Sequence, residues 1–148
     1  MGFLDDIKNK VLVYDGSKGY MLQLAGLPAG DSPESFNLSH PEIVFNIHKG
    51  YIEAGCDVIQ TNTFTGNRIL LEKHGLADKT YEINKTGAQL AKKAAGNTAY
   101  VAASIGPTGM LFEPFGELTF DKAFEVYKEQ TLAVAEGGAD VINFETFT

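Results

Sequence analysis

Short apolar runs alternate with longer stretches of helical period along this chain. Val11-Leu-Val-Tyr14 reads as a first strand, closed by the turn-forming pair Asp15-Gly16. His40-Pro41-Glu42 opens a helix, with proline at the first turn and an acid beside the positive end of the helix dipole. That helix is predicted to run to about Ala54, with Val44, Ile47, Tyr51 and Ile52 near one face. Val58–Thr61 is the second predicted strand. A short helix over Arg68–His74 and a longer one over Tyr81–Ala95 follow. Ala99–Ser104 is the third strand, Gly106-Pro-Thr-Gly109 a loop, Phe120–Ala135 a helix and Val141–Phe144 the fourth strand.

Two parts of this pattern repeat. Residues 53–64, EAGCDVIQTNTF, align with residues 136–147, EGGADVINFETF, and seven of the twelve positions are identical. Each copy reads as the end of a helix, a glycine cap, an aspartate, and a buried strand running into polar residues. A repeated helix-to-strand unit is the building block of α/β barrels. The predicted fold class is therefore α/β, a (βα)8 TIM barrel of which the chain supplies roughly the first four βα units. A whole barrel takes about 250 residues, against 148 here. No linker or charge run divides the chain, so residues 1–148 are expected to be one partial domain.

Composition narrows the functional classes. The net charge is −7, which argues against nucleic acid as a partner, because phosphate binding draws on clustered Lys and Arg. No apolar run approaches the ~20 residues that span a bilayer, and the acidic N-terminus has no signal-peptide core. A single cysteine excludes an intramolecular disulfide and a multi-cysteine metal site within the chain. A cytoplasmic location, with neither membrane nor nucleic-acid partner, is the resulting expectation.

In α/β barrels the reacting groups stand at the C-terminal ends of the strands. Polar residues recur at these places: Asp15 after the first strand, Asn62 and Thr63 after the second, Ser104 and Thr108 after the third, Glu145 and Thr146 after the fourth. Two carboxylates at one mouth could accept the three donors of an ammonium group, and backbone amides near Asp15-Gly16 could take a carboxylate. The bland alternatives stand beside this. Asp15 before a glycine can be a turn residue, and Thr63 can be a β-former that ends a strand. Glu145 is the stronger candidate, since an acid interrupting an apolar run is costly if buried alone. Asp57 and Asp140 lie at the opposite ends of their strands and read as structural. Cys56 reads as a small buried hydrophobe. His40, His48 and His74 have no partners at metal-ligand spacing, and Gly16-Ser-Lys-Gly19 lacks the ending of a phosphate loop.

Leu12-Val-Tyr-Asp-Gly-Ser17, His40-Pro-Glu42, Tyr51 to Phe64, Ser104-Ile-Gly-Pro-Thr-Gly109 and Asn143-Phe-Glu-Thr-Phe147 together resemble the zinc-dependent homocysteine S-methyltransferase family, in its order and spacing. The resemblance implies methyl transfer to the thiol of homocysteine, giving methionine. It implies substrate contacts for Asp15, Gly16 and Thr63, and for Glu145 as the acid that holds the amino group. Asn62, Ser104, Thr108 and Tyr20 are secondary candidates. It also implies zinc, held in the family by three cysteines that this chain lacks, and in corrinoid-linked members methylcobalamin as donor. The expected partners are an amino-acid thiol and the C-terminal half of the barrel, with the fragment inactive alone. Where the family reads Asp-Gly-Ala/Gly-x-Gly-Thr, this chain has Asp15-Gly-Ser-Lys-Gly-Tyr20, and Tyr20 could reshape the mouth. Two other readings remain: a related corrinoid-linked enzyme with a different acceptor, and a non-catalytic half-barrel that pairs with a second copy of itself.

Overall fold

A computed structural model describes residues 2–147. Its helices are α1 (Phe3–Asn9), α2 (Lys18–Leu24), α3 (Phe36–Ser39), α4 (Pro41–Glu53), α5 (Arg68–Glu72), α6 (Thr80–Ala95) and α7 (Phe120–Glu136). The strands are β1 (Val58–Gln60), β2 (Tyr100–Ile105) and β3 (Val141–Phe144). They form a parallel sheet in the order β1-β2-β3, with Gln60 opposite Ala102 and Ser104 opposite Asn143. This is the α/β architecture read from the sequence, with helices returning the chain between parallel strands.

Strand alternation divides the sheet residues between two faces. Ile59, Val101, Ala103, Ile105 and Ile142 pack with Ala88, Ala91, Ala95 and Val134 of α6 and α7. A further cluster of Leu22, Leu27, Phe36 and Val44 joins α2, α3 and α4. Gln60 and Ser104 occupy the alternate positions, so their side chains lie on the face away from the helices.

The first predicted strand needs correction. Val11–Tyr14 is not a regular strand; one parallel bridge joins Tyr14 to Val58, while the N–H groups of Asp57 and Val58 donate to the Val13 carbonyl. Among the described residues the segment has a sheet neighbour on one side only, and Val11 is 87% exposed. The short helices α1, α2 and α3 were also absent from the sequence reading, and the helix predicted over Arg68–His74 ends at Glu72. α2 starts where Ser17 accepts the N–H of Tyr20 (3.2 Å).

The repeat acts as one structural device used twice. α4 ends with Cys56 N–H on the Tyr51 carbonyl and Gly55 N–H on that of Ile52. α7 ends in the same way, with Ala139 on Val134 and Gly138 on Ala135. The two glycines sit at φ 100° and 94°, the left-handed region that such a helix ending requires. The next aspartate then takes the N–H of a residue in the neighbouring segment. Asp57 accepts from Val13 (3.0 Å) and Asp140 from Val101 (2.9 Å), and each pairs with a lysine, Lys10 or Lys92. Both acids do the structural work anticipated for them.

Candidate functional site

At the end of β3 the Glu145 N–H donates to the Ile105 carbonyl (3.1 Å). Its carboxylate is held by two donors on the sheet face away from the helices. Gln60 Nε2 donates to Oε1 at 2.8 Å and Ser104 Oγ to the same atom at 2.6 Å. Both bonds fall on Oε1, and Oε2 has no hydrogen-bond partner among the described residues. A carboxylate fixed in this way is a prepared acceptor for an ammonium group.

Asp15 lies beyond the Tyr14 bridge, with its N–H on the Val58 carbonyl (3.0 Å). Its Oδ2 accepts the main-chain N–H of Gln60 (3.0 Å) and the ammonium of Lys18 (2.9 Å). The Asp15 side chain is fully covered and that of Lys18 is 12% exposed. Burial raises the Asp15 carboxyl above its ordinary pKa, against the opposing pull of the Lys18 charge. Asp15 Oδ1 is buried without a partner among the described residues. Gln60 therefore links the two acids, its backbone bound to Asp15 and its side-chain amide to Glu145. Tyr14 stands in the field of both: burial raises its phenol pKa, and the charges of Glu145 and then Asp15 add to the rise.

Gly16 is in close packing. A Cβ there would lie 2.9 Å from the Tyr51 hydroxyl, which itself donates to the Ser17 carbonyl (3.2 Å). His48 of α4 is fully buried, and neither ring nitrogen has a partner among the described residues. Burial first, and the Lys18 charge second, push its pKa down to about 3, so the ring is neutral.

The other candidates lie behind this surface. Thr63, expected at the mouth, is fully buried, and its hydroxyl donates to the Ser104 carbonyl (2.7 Å). Asn62 is turned inward too, donating to the Pro33 carbonyl (2.8 Å) and to Asn37 Oδ1 (3.0 Å). Thr108 is 2% exposed, and its hydroxyl accepts the Met110 N–H (3.2 Å) within its loop. Tyr20 is 60% exposed on α2. These placements follow from backbone demand: the segment after β1 leaves the sheet, and buried side chains must satisfy its polar groups. Gln130 donates to the Thr63 carbonyl (2.7 Å), Asn84 to that of Gly66 (2.6 Å) and Asn37 to that of Asn62 (2.8 Å). The buried Glu34 carboxylate takes the N–H and hydroxyl of Thr65, both at 2.7 Å, and the hydroxyl of Ser32 at 2.8 Å.

Sequence reasoning missed Gln60 and Lys18 as members of the site. Gln60 carried a signal, being a polar residue at an alternate position of an otherwise apolar strand. Lys18 stands in the failed phosphate-loop match and at the variable position of the family's Asp-Gly motif, neither of which points to a ligand.

Among the described residues, no group of three or more His, Cys, Asp or Glu side chains could hold a metal. Cys56 is half-buried, its Sγ 3.6 Å from the Tyr14 carbonyl that it donates to. Burial, then the charges of Asp15 and Asp57, hold its thiol above the ordinary pKa. No helix is long and apolar enough to cross a membrane among these residues.

Comparison with known proteins adds three findings. Residues 12–148 match the family model described as homocysteine S-methyltransferase. The chain is 32% identical to the methionine synthases of Mycobacterium tuberculosis and Mycobacterium leprae, with 97% of it aligned in each case. It also resembles the solved homocysteine methyltransferase MmuM from Escherichia coli. The TM-score is 0.78 to the metallated form at 20% identity, over 94% of this chain, and 0.79 to the oxidized form at 21%, over 95%. The chain spans 13% of the length of the two synthases and about half of the MmuM chains, 55% and 54%.

Proposed function

Because the chain belongs to the homocysteine S-methyltransferase family, we propose that the intact protein transfers a methyl group to the thiol of homocysteine, forming methionine. In this reading residues 1–148 are the first half of a (βα)8 barrel and carry the amino-acid-binding side. The observation that supports it most directly is Glu145, held through Oε1 by Gln60 and Ser104 with Oε2 unpartnered among the described residues. Glu145 takes the ammonium of the acceptor. Gly16 packs on Tyr51, where a Cβ would meet the Tyr51 hydroxyl. Thr63 and Asn62 act from behind, Thr63 by holding the backbone of Ser104. Thr108 fixes the turn after β2.

Zinc is part of what the family resemblance implies, and this chain's residues do not fit a zinc centre. Its one cysteine donates to a carbonyl, and its histidines do not cluster. The part assigned to this chain is to bind and orient the acceptor. Activation of the thiol and delivery of the methyl group, from methylcobalamin or another donor, belong to the remainder of the protein and to the larger assembly that its longer relatives suggest.

Glu145→Gln in the intact protein tests the reading. The substitution keeps the shape and removes the charge, so KM for homocysteine should rise roughly ten- to a hundredfold, as for a lost charge-assisted hydrogen bond. An unchanged KM would remove Glu145 from the site.

A further inference from the structure

Asp15 was expected to meet the acceptor directly, yet the structure encloses it. Its side chain is fully covered, and one oxygen is bound to both Lys18 and the Gln60 backbone. The side chain of its cationic partner, Lys18, is 12% exposed. We infer that Lys18 binds the carboxylate of the amino-acid acceptor, and that Asp15 is a positioning residue acting through Lys18. This inference rests on the homocysteine reading above and supplies that reading with a carboxylate partner.

Charge and connectivity support it. An amino acid brings an ammonium and a carboxylate, and two acids alone would repel the second. Of the side chains that bond to Asp15 or Glu145, Lys18 alone is cationic. His48, within the field of Lys18, is buried and unpartnered on both ring nitrogens. It is neutral and leaves Lys18 without a cationic rival. Position is fixed twice over. Lys18 is the first residue of α2, whose start is capped by Ser17, and its ammonium is held by Asp15. Gln60 sets that arrangement against the ammonium site, since it binds Asp15 with its N–H and Glu145 with its amide. A lysine held by a buried acid is a preorganised anion donor, because little side-chain freedom remains to be lost when the ligand arrives.

The experiment compares two ligands in the intact, metal-loaded protein: L-homocysteine and 3-aminopropane-1-thiol, which is homocysteine without its carboxylate. Lys18→Met should raise KM for homocysteine roughly ten- to a hundredfold with kcat changing little. It should leave the already weak use of 3-aminopropane-1-thiol unaltered. Lys18→Arg should restore part of the loss. Since Lys18→Met leaves Asp15 buried without its cation, the double variant Asp15→Asn with Lys18→Met is measured alongside it. It should show the same selective loss. Equal losses on both ligands would make Lys18 merely structural and overturn the inference. Unchanged or tighter homocysteine binding in Lys18→Met would overturn it as well, and would make the lysine a stand-in for the ligand's own ammonium. Wild-type protein that fails to bind homocysteine at all would remove the homocysteine reading and this inference together. A wild type that binds it beside an unaffected Lys18→Met removes this inference alone.

Discussion

His48 carries an imidazole at 0% exposure with both nitrogens unpartnered among the described residues, and its chemistry is legible in acid. Its folded pKa, about 3, lies below the ordinary 6.5, so the unfolded chain binds a proton that the folded chain refuses. Stability from this group is complete above the unfolded pKa and is lost as pH falls from about 6.5 toward 3. Between pH 7 and pH 5 the loss should be roughly 2 kcal/mol, at 1.36 kcal/mol per unit. Denaturant titrations of the intact protein at the two pH values should show it, and His48→Leu should flatten the slope over that interval. An identical slope in the variant would place the titration elsewhere. At this scale the sequence showed Asp15 and Glu145, because an acid beside an apolar run stands out. It did not show that Gln60 ties them together. The Gln60–Glu145 bond joins residues 85 positions apart, and alternation assigns a face only once the register of three strands is known. The burial of Thr63 was hidden for a similar reason: a threonine at a strand end looks the same whether its hydroxyl meets a ligand or the Ser104 carbonyl.

Elements were more readable than residues where a local rule governs them. Both helix-to-strand junctions of the repeat could be written from glycine and aspartate alone, because capping is decided within six residues. The first strand failed because its definition depends on neighbours at both edges. α2 and α3 escaped because helices of 7 and 4 residues are too short for a period to register. The contact of α6 with the segment after β1 was also invisible, and it depends on a missing side chain. A Cβ at Gly87 would lie 2.6 Å from Asn37 Nδ2 and 3.0 Å from Thr63 Cγ2. Gly87→Ala in the intact protein must therefore displace α6 or break the bonds of Asn37 to the Asn62 and Ile83 carbonyls. Alanine's better helix propensity offsets up to about 1 kcal/mol, against roughly 1–3 kcal/mol for overpacking. A lowered melting temperature with weaker homocysteine binding is expected. A melting temperature raised by the substitution would show that the cleft has slack.

On the scale of the whole molecule, two apolar grooves lie open on the surface. Beside β3, Phe112, Phe120, Phe124, Phe144 and Phe147 line an apolar groove of about 550 Å³. Between α2 and α4, Met21, Leu24, Ile43, Ile47 and Tyr51 line another of about 630 Å³. Apolar side chains gathered in a groove are a candidate place of contact. Under the barrel reading, each groove is covered by a neighbouring βα unit of the same protein, and the longer MmuM chains have the length for it. Expressed alone, residues 1–148 should associate in a concentration-dependent way, visible by light scattering, and should neither bind stoichiometric zinc nor methylate homocysteine. Leu24→Glu with Phe124→Glu should weaken that association. Supplying the C-terminal half of the same protein in trans should suppress it and restore homocysteine binding, because the grooves then have their own partner. A compact dimer of residues 1–148 that ignores the added half would favour a self-paired half-barrel. Zinc binding and turnover by residues 1–148 alone would overturn the division of labour, with acceptor binding in this half and thiol activation in the other.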